Sequence, residues 1–280
     1  MDLDAAASDV ARFLYHISFP ASTRLVINCE PVNLEQEPKS LALAISARLK
    51  NPCTSGPSRT VTPFQSVALF MQEFHIFRKF LLYAWRSVLS SSDLSDTERN
   101  EEPAIQPDLQ VIFQASIDDS RHNDRSVAGF CQYLPMPDAQ VVYVGSTRLK
   151  DPKDSASKAF RSMDRVHTLE ITEAAAKAMP SLLQSDPTFF PVLTNLRLST
   201  VRMTGPDATP AHFVETLKAR RDKGLGIKHL TITDCVVKSA DVDSFREVVE
   251  EVVWDELETP DDGLEDNFEE EEEEAIEEDE

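Results

Sequence analysis

Ile227-Lys228-His229-Leu230-Thr231-Ile232-Thr233-Asp234-Cys235 carries apolar residues at its first, fourth and sixth positions and a cysteine at its ninth. Two earlier stretches repeat the apolar-x-x-Leu-x-apolar rhythm: Val166-His167-Thr168-Leu169-Glu170-Ile171 and Leu193-Thr194-Asn195-Leu196-Arg197-Leu198. The three copies begin 27 and 34 residues apart. Side chains alternate between the two faces of a strand. In the third copy Leu230 and Ile232 therefore point one way, and His229, Thr231 and Thr233 the other. A strand recurring at such intervals predicts units stacked side by side.

One unit cannot cover its own apolar face, but a neighbouring unit can. Each fully buried Leu or Ile side chain contributes about 1.5–3 kcal/mol, against roughly 1–2 kcal/mol of backbone ordering cost per residue. Several copies are therefore required. Cys235 stands where the pattern L-x-x-L-x-L-x-x-[N/C] expects Asn or Cys. A small side chain there fits inside the turn leaving the strand and helps satisfy buried backbone groups. The pattern alone leaves open an ordinary α/β sheet with coincidental spacing.

Working outward, Asp4 to Ser18 reads as a helix with Val10, Phe13, Leu14 and Ile17 on one face, and Arg24 to Cys29 as a strand. Lys39 to Lys50 is a second helix, and Asn51 to Pro63 a loop rich in proline. Between Ser66 and Trp85 the pattern fits either one helix or two short strands. Ser90 to Asp108 is polar and reads as a surface loop. Leu109 to Ala115 and Gln140 to Gly145 follow as strands, separated by a polar loop over 117–126. An Ala-rich helix beginning near Thr172 is expected to be strained or broken at Pro180. Thr204 to Pro210 reads as loop. Thr209, Pro210 and Gly224 mark the cap, first turn and stop of a helix over 211–223. Ser239 is the expected cap of a last helix, and Val252 to Leu257 can close the sheet.

The net charge of -21 belongs mostly to the C-terminus. From Asp255 to Glu280 there are 17 acidic residues and no Lys or Arg, which leaves 32 acidic against 28 basic residues elsewhere. The expected organisation is a folded domain over 1–257 and a disordered acidic tail over 258–280. A nearly neutral body carries no basic footprint for nucleic acid. The longest apolar-looking region, Phe64 to Leu89, contains Glu73, Arg78, Lys79 and Arg86 and does not read as a membrane span. The acidic start and the scattered Cys29, Cys53, Cys131 and Cys235 predict a reduced, cytoplasmic or nuclear protein.

Chemistry-bearing motifs are sparse. Seven glycines in 280 residues form no phosphate loop and no nucleophile elbow. The six histidines form no H-x-x-x-H pair. Cys235 and His229 are a conceivable metal pair without a third ligand, so neither a cofactor nor a metal is expected. Arg220 and Arg221, with Lys218 and Lys223, read as a solvated helix face or as a contact for an acidic partner or for this chain's own tail.

The C-terminal half resembles the leucine-rich-repeat region of fungal, mushroom-type F-box-like proteins. The residues that carry the resemblance are Phe190 to Leu198, Leu217 to Gly224, Ile227 to Cys235 and the ending Val252-Val253-Trp254-Asp255; nearer the start, Phe13 to Pro20 is similar to a recurrent segment of the same family. The resemblance implies an α/β fold: an irregular leucine-rich-repeat-like solenoid, its curved, mostly parallel sheet backed by helices. It also favours two strands over one helix between Ser66 and Trp85. It implies a non-catalytic protein-binding role, with ubiquitin ligase components as partners where an F-box is present. No Leu-Pro-x-Glu-Leu-type F-box segment precedes the repeats, so the chain reads as a fragment or as a form without the ligase-docking part. The expected partner-binding positions are the outward ones: Thr168, Glu170, Asn195, Arg197, Ser199, His229, Thr231 and Thr233. The alternative is an acidic-tail, chaperone-like or nuclear factor that binds basic proteins.

Overall fold

The computed structural model describes residues 1–20, 22–29, 36–50, 62–73, 77–99, 103–116, 130–134, 136–145, 160–185, 189–203 and 209–257. Of the expected loops, 51–61 of the first, all of 117–126 and 204–208 of the last lie outside them, as does the tail over 258–280. Ten strands form one sheet: β1 (Asp2–Asp4), β2 (Leu25–Cys29), β3 (Ser66–Glu73), β4 (Phe77–Trp85), β5 (Leu109–Ser116), β6 (Val141–Val144), β7 (Thr168–Thr172), β8 (Asn195–Ser199), β9 (His229–Thr233) and β10 (Glu251–Trp254). Their spatial order is β1-β2-β5-β4-β3-β6-β7-β8-β9-β10. All pairings are parallel except those of β4, which runs against both β3 and β5. The sheet is thus mostly parallel, as expected.

The three repeated segments are adjacent parallel rungs. Leu169, Leu196 and Leu230 are register partners, as are Ile171, Leu198 and Ile232, and all six are buried. From β6 to β10 each strand lies beside its successor in sequence. The order breaks in the first half, where the segment between Ser66 and Trp85 forms the antiparallel pair β3 and β4.

One face of the sheet carries α1 (Ala7–His16), α2 (Glu37–Lys50), α4 (Glu173–Ser185), α5 (Pro210–Asp222) and α6 (Ser239–Arg246), whose apolar residues join the strands in one large core. Arg48 of α2 donates to the Leu14 and Tyr15 carbonyls, which satisfies the end of α1. Phe13, expected on the buried face of α1, is exposed; Ala7, Val10, Ala11 and Leu14 form that face instead. α4 runs through Pro180 unbroken, so of the expected strain or break the break does not occur. The ring removes one backbone bond, whereas Met179, Leu182 and Leu183 are all held in the core. α5 follows its expected boundaries: the Thr209 hydroxyl accepts from the His212 amide at 3.2 Å, and Gly224 takes the left-handed φ of 76° just past the end. α6 begins at Ser239 itself, so the cap position is Lys238.

The stretch from Ser90 to Asp108, expected as loop, contains α3 (Ser91–Arg99). The Ser90 hydroxyl accepts from the Asp93 amide, and the Asp93 carboxylate accepts from the Ser90 amide, a reciprocal cap. α3 lies on the opposite face of the sheet, where Leu94 joins Phe70, Tyr83, Trp85, Val141 and Tyr143 in a second apolar cluster. The crossing chain is pinned there. Trp85 donates to the Ile105 carbonyl at 2.9 Å, and Arg86 pairs with Asp108 at 3.1 Å. The middle of the sheet is therefore covered on both faces.

Candidate functional site

Past β6 the face away from the large core changes character. Its outward rows are polar. Thr168, Asn195, His229 and Glu251 form one row across β7 to β10, and Glu170, Arg197, Thr231 and Val253 the next. Thr172, Ser199 and Thr233 form a third. Parallel pairing places equivalent side chains side by side, so each row is a ladder. The first ladder is hydrogen-bonded: Asn195 donates to the Thr168 hydroxyl at 3.1 Å, and His229 Nδ1 lies 2.8 Å from Glu251 Oε2. His167, just before β7, adds a contact of 2.9 Å from its Nδ1 to the same Thr168 hydroxyl.

The second and third ladders join at Glu170. Its carboxylate accepts from the Ser199 hydroxyl at 3.0 Å and has Arg197 Nε at 4.0 Å. Glu170 is only 1% exposed and Ser199 is buried as well. This corrects the expectation that both are open to a partner. The reason is position: Glu170 is the register partner of Tyr143, itself in the second apolar cluster, so it sits at the margin of the covered region. A carboxylate there needs compensation: the Ser199 hydroxyl donates to it from the next rung, and the Arg197 guanidinium sets a positive charge nearby. Arg197 keeps 34% of its side chain exposed and His229 52%. Thr168, Asn195, Thr231 and Thr233 are half-buried. The open part of the expected face thus comprises these six residues, with Glu170 and Ser199 as the support beneath Arg197.

The edge column of Glu251 and Val253 was not among the expected site residues. In the sequence this stretch reads as no more than a strand that can close the sheet. Arg220 differs from expectation more sharply. It is 1% exposed and donates to the Phe189 and Phe190 carbonyls, each at 2.9 Å. It falls on the Phe213, Thr216 and Leu217 face of α5, while Arg221, about 100° further round the helix, is exposed.

Cys235 and His229 do not share a site. His229 opens β9 and Cys235 lies two residues past its end, beyond a left-handed Asp234, so the strand's length of roughly 13 Å stands between them. The Cys235 sulfur is buried against the Val201 amide and the Leu198 carbonyl, whereas His229 is exposed. Among the described residues no three His, Cys, Asp or Glu side chains form a metal-holding group, and no helix is long and apolar enough to cross a membrane. The chain matches no protein-family model, no curated protein and no solved structure.

Proposed function

We propose that the chain is a non-catalytic protein-interaction module, with a leucine-rich-repeat-like solenoid in which the polar ladders of β7 to β9 receive a protein partner. Its likeness is to the substrate-recognition repeats of F-box-type ubiquitin ligase subunits. The observation that carries this reading is the register itself. Leu196 and Leu230 are buried in the core, while Asn195, Arg197, His229 and Thr231, one residue away along each strand, stand on the opposite face at fixed spacing. Rigid strands hold donors, acceptors and one cation with little freedom left to lose on binding, which favours specific recognition. Arg197 suits an anchor: its side chain is long and forked, and the Glu170 carboxylate lies 4.0 Å from its Nε.

The test is an Arg197→Glu/Thr231→Arg double variant, measured by calorimetry against a partner first captured with the wild-type chain and then purified. Affinity is expected to fall by about tenfold or more. Undiminished affinity in a variant with an unchanged melting temperature would remove the partner from this face. The ligase connection is tested separately, by reading the gene upstream of Met1 for an in-frame F-box.

The acidic C-terminus supports a second reading, a factor that engages basic proteins through residues 258–280, of which 15 are acidic. Deleting 258–280 separates the two. Loss of all partners, with strong salt sensitivity beforehand, favours the tail; retained binding favours the strand face.

A further inference from the structure

Among the described residues the sheet ends on an open strand, with β9 the one strand beside β10. The Glu251 amide donates to the Lys228 carbonyl at 2.9 Å and the Asp255 amide to that of Ile232 at 3.4 Å. In a parallel strand the amides alternate in direction, so those of Val252 and Trp254 point away from β9, toward the free edge. Such an edge is a template for a further strand unless it is blocked. The other end of the sheet is short and carries exposed aspartates at both ends of β1, Asp2 and Asp4. β10 instead exposes Val253, 52% accessible, next to Thr231. Trp254 is partly buried, and its indole N–H lies out of solvent with no acceptor among the described residues.

The charge around this edge selects its occupant. Glu250, Glu251, Asp255 and Glu256 are all exposed. From Glu247 to Glu280 the sequence has no Lys or Arg. A second copy is disfavoured: twofold antiparallel pairing centred on Val253 sets Glu251 against Asp255 twice, and like charges directly opposite destabilise a pair. The chain's own continuation is disfavoured on the same ground, with 15 acidic residues and no basic one over 258–280.

We propose that β10 accepts an extended basic segment of a partner protein by strand addition. The segment's backbone would pair with the Val252 and Trp254 amides and carbonyls. Its side chains would alternate, with an apolar residue beside Val253 flanked by Lys or Arg beside Glu251 and Asp255. Both carboxylates already have donors, Glu251 from His229 and Asp255 from the Asp234 amide. The contribution of the basic residues is therefore mainly one of field and approach, and the acidic continuation of the chain extends that field.

The test uses the full chain and a fluorescent peptide of alternating Lys or Arg and Val or Ile, read by anisotropy at low salt. The control is a peptide of equal charge interrupted by proline, which cannot pair as a strand. The alternating peptide is expected to bind, and to slow hydrogen exchange at the Val252 and Trp254 amides. Val253→Lys should weaken it by about tenfold. Val252→Pro, which removes an outward amide while sparing the bonds to β9, should do the same. Either variant, shown folded by an unchanged melting temperature, suffices. Arg197→Glu should leave this binding intact, which separates it from the strand-face reading. Equal binding of both peptides, unchanged exchange at Val252 and Trp254, or loss only on deletion of 258–280 would each overturn the proposal.

Discussion

The thiol of Cys235 accepts the backbone amide of Val201 at 3.4 Å across the boundary between two rungs. It also lies 3.3 Å from the carbonyl oxygens of Leu198 and Thr233, to which it can donate. Val201 follows β8 and Cys235 follows β9, so one small side chain stitches two successive turns. Cys235→Ala should cost about 1–3 kcal/mol, because the buried Val201 amide loses its acceptor. Cys235→Ser keeps an acceptor and should cost less. Urea unfolding of both variants checks the order; a Ser loss equal to the Ala loss would mean that sulfur volume, not hydrogen bonding, matters there.

Leu230 is fully buried between its register partners Leu196 and Val252, while Thr231 stands on the other face. Leu230→Ala is expected to cost about 2–5 kcal/mol. Thr231→Ala, half-exposed and free of a cavity penalty, should stay within about 0.5 kcal/mol. Urea midpoints for the pair read the difference directly.

Arg220 holds a turn together. Its two terminal nitrogens donate to the Phe189 and Phe190 carbonyls, and Phe190 takes a left-handed φ of 49°. Burial pulls the guanidinium below its ordinary pKa. Arg220→Ala should cost about 3–5 kcal/mol, since two buried carbonyls lose charged donors. Arg220→Lys should recover little, because one ammonium cannot reproduce the fork. Arg221→Ala, its exposed neighbour, is the control for chemical denaturation and should be mild.

Three thiols make the fold sensitive to alkali. Burial pushes Cys29 and Cys131 up from 9.0 to about 12, and Cys235 to about 11. For Cys29 the carboxylates of Glu37 and Asp4 add to the effect. The folded chain holds these protons longer than the unfolded chain does. The associated stability is complete below about pH 9 and is lost as pH rises through 11 and 12. Urea midpoints should therefore fall steadily above pH 9, less steeply in Cys131→Ala. In a Cys53→Ser background, a thiol reagent at pH 8 should react slowly until denaturant is added.

The stacked half of the sheet was legible because its signal is local. Alternation within each strand sorted Leu230 and Ile232 from His229 and Thr231, and Pro210 with Gly224 bounded α5. The second layer was much less so. Among its described side chains α3 brings one apolar residue, Leu94, to the second cluster, too thin a stripe to stand out against the polar sequence around it. Arg220 and Arg221 are neighbours in a basic run, and only the helix angle set by Phe213 and Leu217 separates a buried anchor from an exposed charge.

The amino-acid sequence by itself determined the strand rhythm, the inward and outward faces of the last rungs and the place of Cys235, since each depends on side chains a few residues apart. Only the tertiary structure decided that β4 runs backward, that Glu170 and Ser199 are covered, and that β10 has a strand on one side alone among the described residues. Those outcomes depend on which distant segments meet and which do not, and a carboxylate's or an amide's environment is set by neighbours that no local period encodes.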